Sequence, residues 1–166
     1  MQTEFLDIEV YDEAGWIGGQ WGEVEGHYGF HGLLKAWFDH KGLEGRGLLI
    51  GEQRPSRAVQ HLIEKYPEIQ TVVTVDLEGS DFDWDITKPC EVNLQADWII
   101  CQAVLEHVVD PYGTVQNLLQ VLKPNGSLFI HTHGPGFIEH RFPIDCIRFF
   151  RDFFCRSNKR KRSRAR

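Results

Sequence analysis

The stretch from Asp97 to Gly134, DWIICQAVLEHVVDPYGTVQNLLQVLKPNGSLFIHTHG, constrains the fold more than any other part of the chain. Trp98-Ile99-Ile100-Cys101 is a short apolar run behind a lone acid, the composition of a strand covered on both faces. Asp110 offers an N-cap oxygen and Pro111 a first-turn residue. Tyr112, Val115, Leu118, Leu119 and Leu122 then recur at the spacing of one helical face, which predicts an amphipathic helix. Lys123 falls in its last turn, Pro124 stops it, Asn125-Gly126 turns the chain, and Ser127-Leu128-Phe129-Ile130 starts the next strand. Strand, crossover helix and strand form the unit that joins parallel strands.

The preceding residues repeat that order. Gly47 to Gly51 predicts a strand, and Ser56 to Tyr66 a helix with Val59, Leu62, Ile63 and Tyr66 on one face, ended by Pro67. Thr71 to Val75 is a β-branched strand with Asp76 at its carboxyl end, where an acid can accept both hydroxyls of a ribose. Asp81-Phe82-Asp83-Trp84-Asp85 alternates acid with aromatic, as a half-buried or edge strand does. It is no calcium loop, because Ile86 and Val92 stand where glycine and glutamate are needed. The whole predicts an α/β fold: a Rossmann-like, doubly wound, mostly parallel sheet with helices on both faces.

At 166 residues, 42% of them hydrophobic, the chain suits one core. No apolar run approaches the ~20 residues of a membrane span, and the N-terminus is acidic where a signal peptide is basic and then apolar. A soluble, cytoplasmic protein is expected. The four cysteines show no CxxC spacing, which predicts buried free thiols. Of the 18 Lys and Arg, seven lie in Arg156–Arg166, which holds none of the 24 acids. The acidic remainder would repel phosphates, so nucleic acid could dock only through that tail. Three segments are expected: an aromatic, Gly-rich extension or lid over 1–44, a folded domain over 45–155, and a basic disordered tail over 156–166. Within the extension, Leu33, Leu34, Trp37 and Phe38 fit one helical face ending near Gly42.

The run VLEHVVDPYGTVQNLLQVLKPNG resembles the segment after the fourth strand of class I S-adenosylmethionine-dependent methyltransferases, where an LEH triplet, a DP helix start and a VLKPxG turn recur together. EHRFPIDCIRFF resembles the segment after the fifth strand in the small-molecule branch of that family. The resemblance runs from Gly45 to Phe154 and implies methyl transfer from S-adenosylmethionine to a small-molecule or sugar-like acceptor. It implies cofactor contacts at Gly51 and, for the adenine, at Asp85 and Ile86; beside it, Asp76 suits the ribose, Glu52 and Arg54 the cofactor's charged amino-acid end by another route, and Gln102 its sulfonium or the acceptor. Of the family's GxGxG glycines only Gly51 is present, with Gln53 and Pro55 in the other places. Forcing a side chain into a glycine conformation costs about 1–3 kcal/mol, so weakened cofactor binding is expected. Class I domains usually add two strands after the fifth, and few residues lie between His131 and the basic tail. A sheet lacking those strands would present an open edge, inviting a homo-oligomer.

The cofactor already carries an activated methyl group, so such a protein mainly binds and aligns. If the acceptor loses a proton, His107, His140 and Asp145 are the candidate bases. His131 and His133 point to one side of an extended chain and, with Arg148, are the candidate acceptor-binding residues. Two other classes stay open. One is an inactive methyltransferase-fold binding module, favoured by the missing glycines. The other is a zinc-dependent hydrolase using the His-x-His pair with an acid and an open position, although no serine lies between His133 and Asp145.

Overall fold

The computed structural model describes residues 41–139, 141, 144–150 and 153. Strands β1 (Gly45–Ile50), β2 (Ile69–Asp76), β3 (Phe82–Asp83), β4 (Ala96–Gln102) and β5 (Leu122–His131) form one sheet in the order β3-β2-β1-β4-β5. Every pairing is parallel, where a mostly parallel sheet was expected. Helix α1 (Arg57–Lys65) connects β1 to β2, and α2 (Pro111–Val121) connects β4 to β5. Residues 1–40 of the expected lid and the basic tail lie outside the described residues. Of the helix expected through Phe38, Lys41 is helical and Gly42 comes next at φ +60°, the left-handed conformation that closes a helix.

The central strands send alternate side chains to opposite faces. Leu48, Ile50, Ile99 and Cys101 face α2 residues Leu118 and Val121, whereas Leu49, Trp98 and Ile100 face α1 residues Val59 and Leu62. A helix on each face is what makes the sheet doubly wound. Gly47 is required by Trp98: a Cβ there would lie 2.0 Å from the indole. Full burial of side chains such as Leu48 and Ile99 contributes about 1.5–3 kcal/mol each.

Both helices start as their caps predict. The hydroxyl of Ser56 accepts from the Val59 amide at 3.1 Å, and Asp110 Oδ1 accepts from the Gly113 amide at 2.9 Å. The buried faces differ from the expected ones. Ile63 is 48% exposed, and on α2 it is Tyr112 that is 50% exposed, while Thr114 and Asn117 are buried. Those polar side chains can sit inside because each has a partner: Asn117 Nδ2 donates to the Ile86 carbonyl at 3.0 Å, and Thr114 Oγ1 to the Asp110 carbonyl at 2.8 Å. The helix also ends earlier than predicted. Leu122 already pairs with Ala96, residues 123–126 bulge out around Asn125 at φ +64°, and Ser127 resumes opposite Trp98. Lys123 therefore leaves the helix end and pairs with Asp97 at 2.9 Å. The Arg46 amide, then Lys123, hold the Asp97 carboxyl below its ordinary range. Of the described cysteines, all free, Cys101 is buried as expected, Cys90 is half-buried and Cys146 is exposed. Burial pushes the Cys101 thiol up.

Candidate functional site

The chain leaves β1 toward β2 and leaves β4 toward β5, so the strand order reverses between these two neighbours. In parallel sheets that reversal opens a crevice beyond the carboxyl ends of the strands. Gly51 turns the chain there at φ +79°, its amide donating to the Val75 carbonyl at 2.7 Å. A Cβ on Gly51 would lie 2.6 Å from Val104 Cγ2, so the exits of β1 and β4 meet at this contact. Next to Gln102, Ala103 holds φ +49° and donates its amide to the His131 carbonyl at 2.8 Å. A side chain in that region costs about 1–3 kcal/mol, strain that collects at functional sites.

On the β1–β2 side, Asp76 ends β2 half-buried, with Oδ1 accepting the Leu77 amide at 2.6 Å. The strain expected at Gln53 is absent: among the described residues other than glycine, only Ala103 and Asn125 have positive φ. The loop avoids the glycine path by a different tie. Arg54 donates its amide to the Gly79 carbonyl at 2.8 Å and its guanidinium to Asp81 at 2.6 and 2.9 Å. Arg54 thus fastens the loop to the segment after β2, and its hydrogen bond holds the Asp81 carboxyl below the ordinary range. The Glu52 amide reaches the Val75 carbonyl at 3.4 Å. Asp85 accepts from the Thr87 hydroxyl at 2.6 Å and pairs with Lys88 at 2.8 Å. Ile86 is buried, its carbonyl held by Asn117. For a nucleoside cofactor, this set fits the ribose through the half-exposed acid at the strand end and departs from the family at the glycine loop.

On the β4–β5 side, the structure assembles a group around Glu106 that the sequence named only as part of the LEH triplet. Its carboxylate is 0% exposed. One oxygen accepts from Thr132 Oγ1 at 2.8 Å, and the other pairs with His133 Nδ1. Burial by itself raises the Glu106 pKa, but the hydrogen bonds from His133, the backbone and Thr132 outweigh it and hold the carboxyl below its ordinary value. His133 is buried and stacks on Phe137 with ring centroids 3.7 Å apart. His131 stands edge-on to it at 6.1 Å, its pKa lowered by burial and then by His133. Among the described residues, no three His, Cys, Asp or Glu are placed to hold a metal ion.

The other candidates serve the segment after β5. His107 Nδ1 meets the Ile144 carbonyl, and the Glu106 carbonyl accepts the Cys146 and Ile147 amides. Every N–H of the Arg148 guanidinium has a protein acceptor: the two Asp145 oxygens and the carbonyls of Phe137, Ile138 and Ile147. Asp145 in turn has a side chain 2% exposed. The expected acceptor ligand and the expected base are therefore engaged with each other, as a clamp. Phe137, Asp145, Cys146, Ile147 and Arg148 line an open cleft of about 290 Å³. His140 lies outside the described residues.

A family model described as a methyltransferase domain matches residues 34–159. The ubiquinone biosynthesis O-methyltransferase of Vibrio cholerae is 27% identical over 116 residues, covering 68% of this chain and 42% of that protein. The protein of the same name from Azoarcus sp. is 29% identical over 113 residues, covering 68% and 45%. The one from Marinobacter nauticus is 30% identical over 101 residues, covering 61% and 40%. The chain thus spans less than half the length of these relatives. No helix among the described residues is long and apolar enough to cross a membrane. With a matching family model over most of its length, a parallel sheet in the order the fold requires and an acid closing its second strand, the chain belongs to the class I S-adenosylmethionine-dependent methyltransferase family.

Proposed function

We propose that this protein transfers a methyl group from S-adenosylmethionine to an oxygen of a small-molecule acceptor. The observation that carries the proposal is the strand reversal itself, where Gly51 and Val104 meet and Asp76 ends the adjacent strand. Asp76 would accept the ribose hydroxyls, Asp85 and Ile86 would border the adenine, and Gln102 with the strained Ala103 would lie beside the reacting group. The cofactor, when bound, supplies an activated methyl carbon, so the protein's task is alignment and exclusion of water. The oxygen acceptor rests on the names of the relatives, each an O-methyltransferase. The His107 contact and the Asp145–Arg148 clamp are assigned to shaping the acceptor cleft.

The test is incubation of the full chain with methyl-labelled S-adenosylmethionine and a panel of hydroxylated small molecules. Labelled ether product and stoichiometric S-adenosylhomocysteine are expected. A second reading, a binding module without turnover, is favoured by the Arg54–Asp81 tie that stands where the family has glycines. Cofactor binding with no product across the panel would favour it. The proposal extends to a cytoplasmic protein that forms a homo-oligomer along β5, which has a strand on one side only among the described residues. A mass by light scattering that rises with concentration is expected.

A further inference from the structure

Strand β3 pairs with β2 only at Val75 and Asp76, which leaves the outward backbone groups of the preceding β2 residues without a strand to meet among the described residues. Two side chains meet them instead. Asp81 Oδ2 accepts the Thr74 amide at 3.0 Å, and Arg54 Nη2 donates to the Val72 carbonyl at 3.2 Å. A residue of a parallel neighbour opposite Val73 would offer this same acceptor and donor. The two side chains also hold each other, Arg54 Nε and Nη2 donating to the Asp81 oxygens at 2.9 and 2.6 Å. Thr74 fixes Asp81 further: its hydroxyl accepts the Asp81 amide at 3.0 Å and donates to the carboxylate at 3.2 Å. A bidentate guanidinium–carboxylate pair fixes direction as well as distance, so Arg54 and Asp81 form a latch of defined geometry.

The latch joins two segments that carry expected cofactor contacts. Arg54 belongs to the loop after β1, with Gly51 and Glu52, whose amides reach the Val75 carbonyl at 2.7 and 3.4 Å. Asp81 belongs to the segment that leaves β2 at Asp76. That segment aims Asp76: the Asp76 amide donates to Ser80 Oγ at 3.1 Å, its carbonyl accepts the Trp84 amide at 2.8 Å, and its Oδ1 accepts the Leu77 amide at 2.6 Å. The Arg54 amide adds a second tie between the two, to the Gly79 carbonyl at 2.8 Å. The side chains of the latch are 38% and 35% exposed, so water and salt reach it.

We propose that Arg54 and Asp81 are positioning residues for the cofactor: their latch holds the loop after β1 against the segment after β2, so that Glu52 and Asp76 meet the cofactor in one fixed arrangement without the family's glycine path. This rests on the methyl-transfer reading for the identity of the cofactor. With the latch open, only a fraction of the molecules hold the competent arrangement, and the apparent dissociation constant rises by the inverse of that fraction. An exposed pair shifts such an equilibrium by up to about fivefold. Because the latch is exposed, cofactor affinity depends on ionic strength.

The test is calorimetric titration of the full chain with S-adenosylhomocysteine at about 0.01 M and about 1 M sodium chloride, between which the screening length falls from about 30 Å to about 3 Å. The variants are Arg54→Ala, Arg54→Lys, Asp81→Asn, which keeps an acceptor for the Thr74 amide, and the double variant Arg54→Ala/Asp81→Asn. Wild-type binding should weaken by about threefold to fivefold at high salt. Arg54→Ala and Asp81→Asn should each bind that much more weakly at low salt and respond little to added salt, with the double variant no weaker than either. Arg54→Lys keeps the charge and should recover part of both the affinity and the salt response. A role in the fold alone would move the thermal midpoints and leave the affinity of the folded variants at the wild-type value. Arg54→Ala binding as tightly as wild type at low salt, keeping the full salt response, or adding its loss to that of Asp81→Asn overturns the proposal alone. A folded wild type that binds no S-adenosylhomocysteine overturns the methyl-transfer reading and the proposal with it. Should Asp81→Asn fail to fold, Arg54→Ala and Arg54→Lys carry the test.

Discussion

The two ends of the sheet's functional edge use the same chemistry, a carboxylate with a basic side chain, in opposite surroundings. Beyond β1 and β2, Arg54 and Asp81 pair with side chains 38% and 35% exposed. Beyond β4 and β5, Glu106 and His133 pair at 0% and 9%. Water screens the first pair, so its worth is about 0–1 kcal/mol and its effect is to route a loop. The second pair has almost no water to fall back on. Removing Glu106 there takes a buried partner from both His133 and Thr132, so the same chemistry holds the core together. Solvent exposure separates a surface tie from a buried one.

That contrast can be broken first at Glu106. Glu106→Ala should destabilise the protein by about 3–5 kcal/mol, because the loss takes the carboxylate away from a buried imidazole and a half-buried hydroxyl. Urea unfolding measures it, and a change below about 1 kcal/mol would put this pair in the same class as the surface one.

Acid should act in the same direction. The Glu106 carboxyl is held below its ordinary 4.5 in the fold, so as pH falls the unfolded chain takes up the proton first. The stabilisation is whole above the ordinary value and is lost as pH falls through the folded one. His131, lowered from 6.5 by burial first, likewise costs stability on acidification, beginning at a higher pH. Urea midpoints taken across pH should therefore fall in two stages, and Glu106→Gln should shrink the lower stage, to which the lowered Asp81 and Asp97 carboxyls also contribute.

Gly51→Ala should cost about 1–3 kcal/mol through its left-handed backbone, and its new Cβ would meet Val104 at 2.6 Å. Cofactor affinity should fall with it, read by calorimetry on the folded variant. The smallest effect is expected at Arg54→Ala, within about 1 kcal/mol. A loss several times larger, by thermal unfolding, would mean that the exposed tie supports the fold after all.

The order of elements was legible because it rests on local signals: the apolar run at Trp98–Cys101, the Asp110-Pro111 helix start, and Asp76 closing a β-branched strand. The buried face of α2 was not, because Thr114 and Asn117 read as solvent-facing until the carbonyls of Asp110 and Ile86 are known to receive them. Arg148 looked like a ligand for an acceptor, yet five acceptors within the protein claim its donors. Strain at Gln53 was inferred from the family's glycine spacing, whereas the Arg54–Asp81 tie gives the loop another path. Glu106 was in view within the LEH triplet, but its significance depends on Thr132, 26 residues away, and on His133. Contacts made across the sheet, more than local pattern, decide which polar residues are sites.

Calorimetric titration with S-adenosylhomocysteine, wild type beside Asp76→Ala, tests the central claim most directly. Binding in the micromolar range that is abolished by Asp76→Ala is the predicted result. A folded wild-type protein that binds nothing, or an Asp76→Ala variant that binds as tightly as wild type, would contradict a cofactor crevice at the strand reversal.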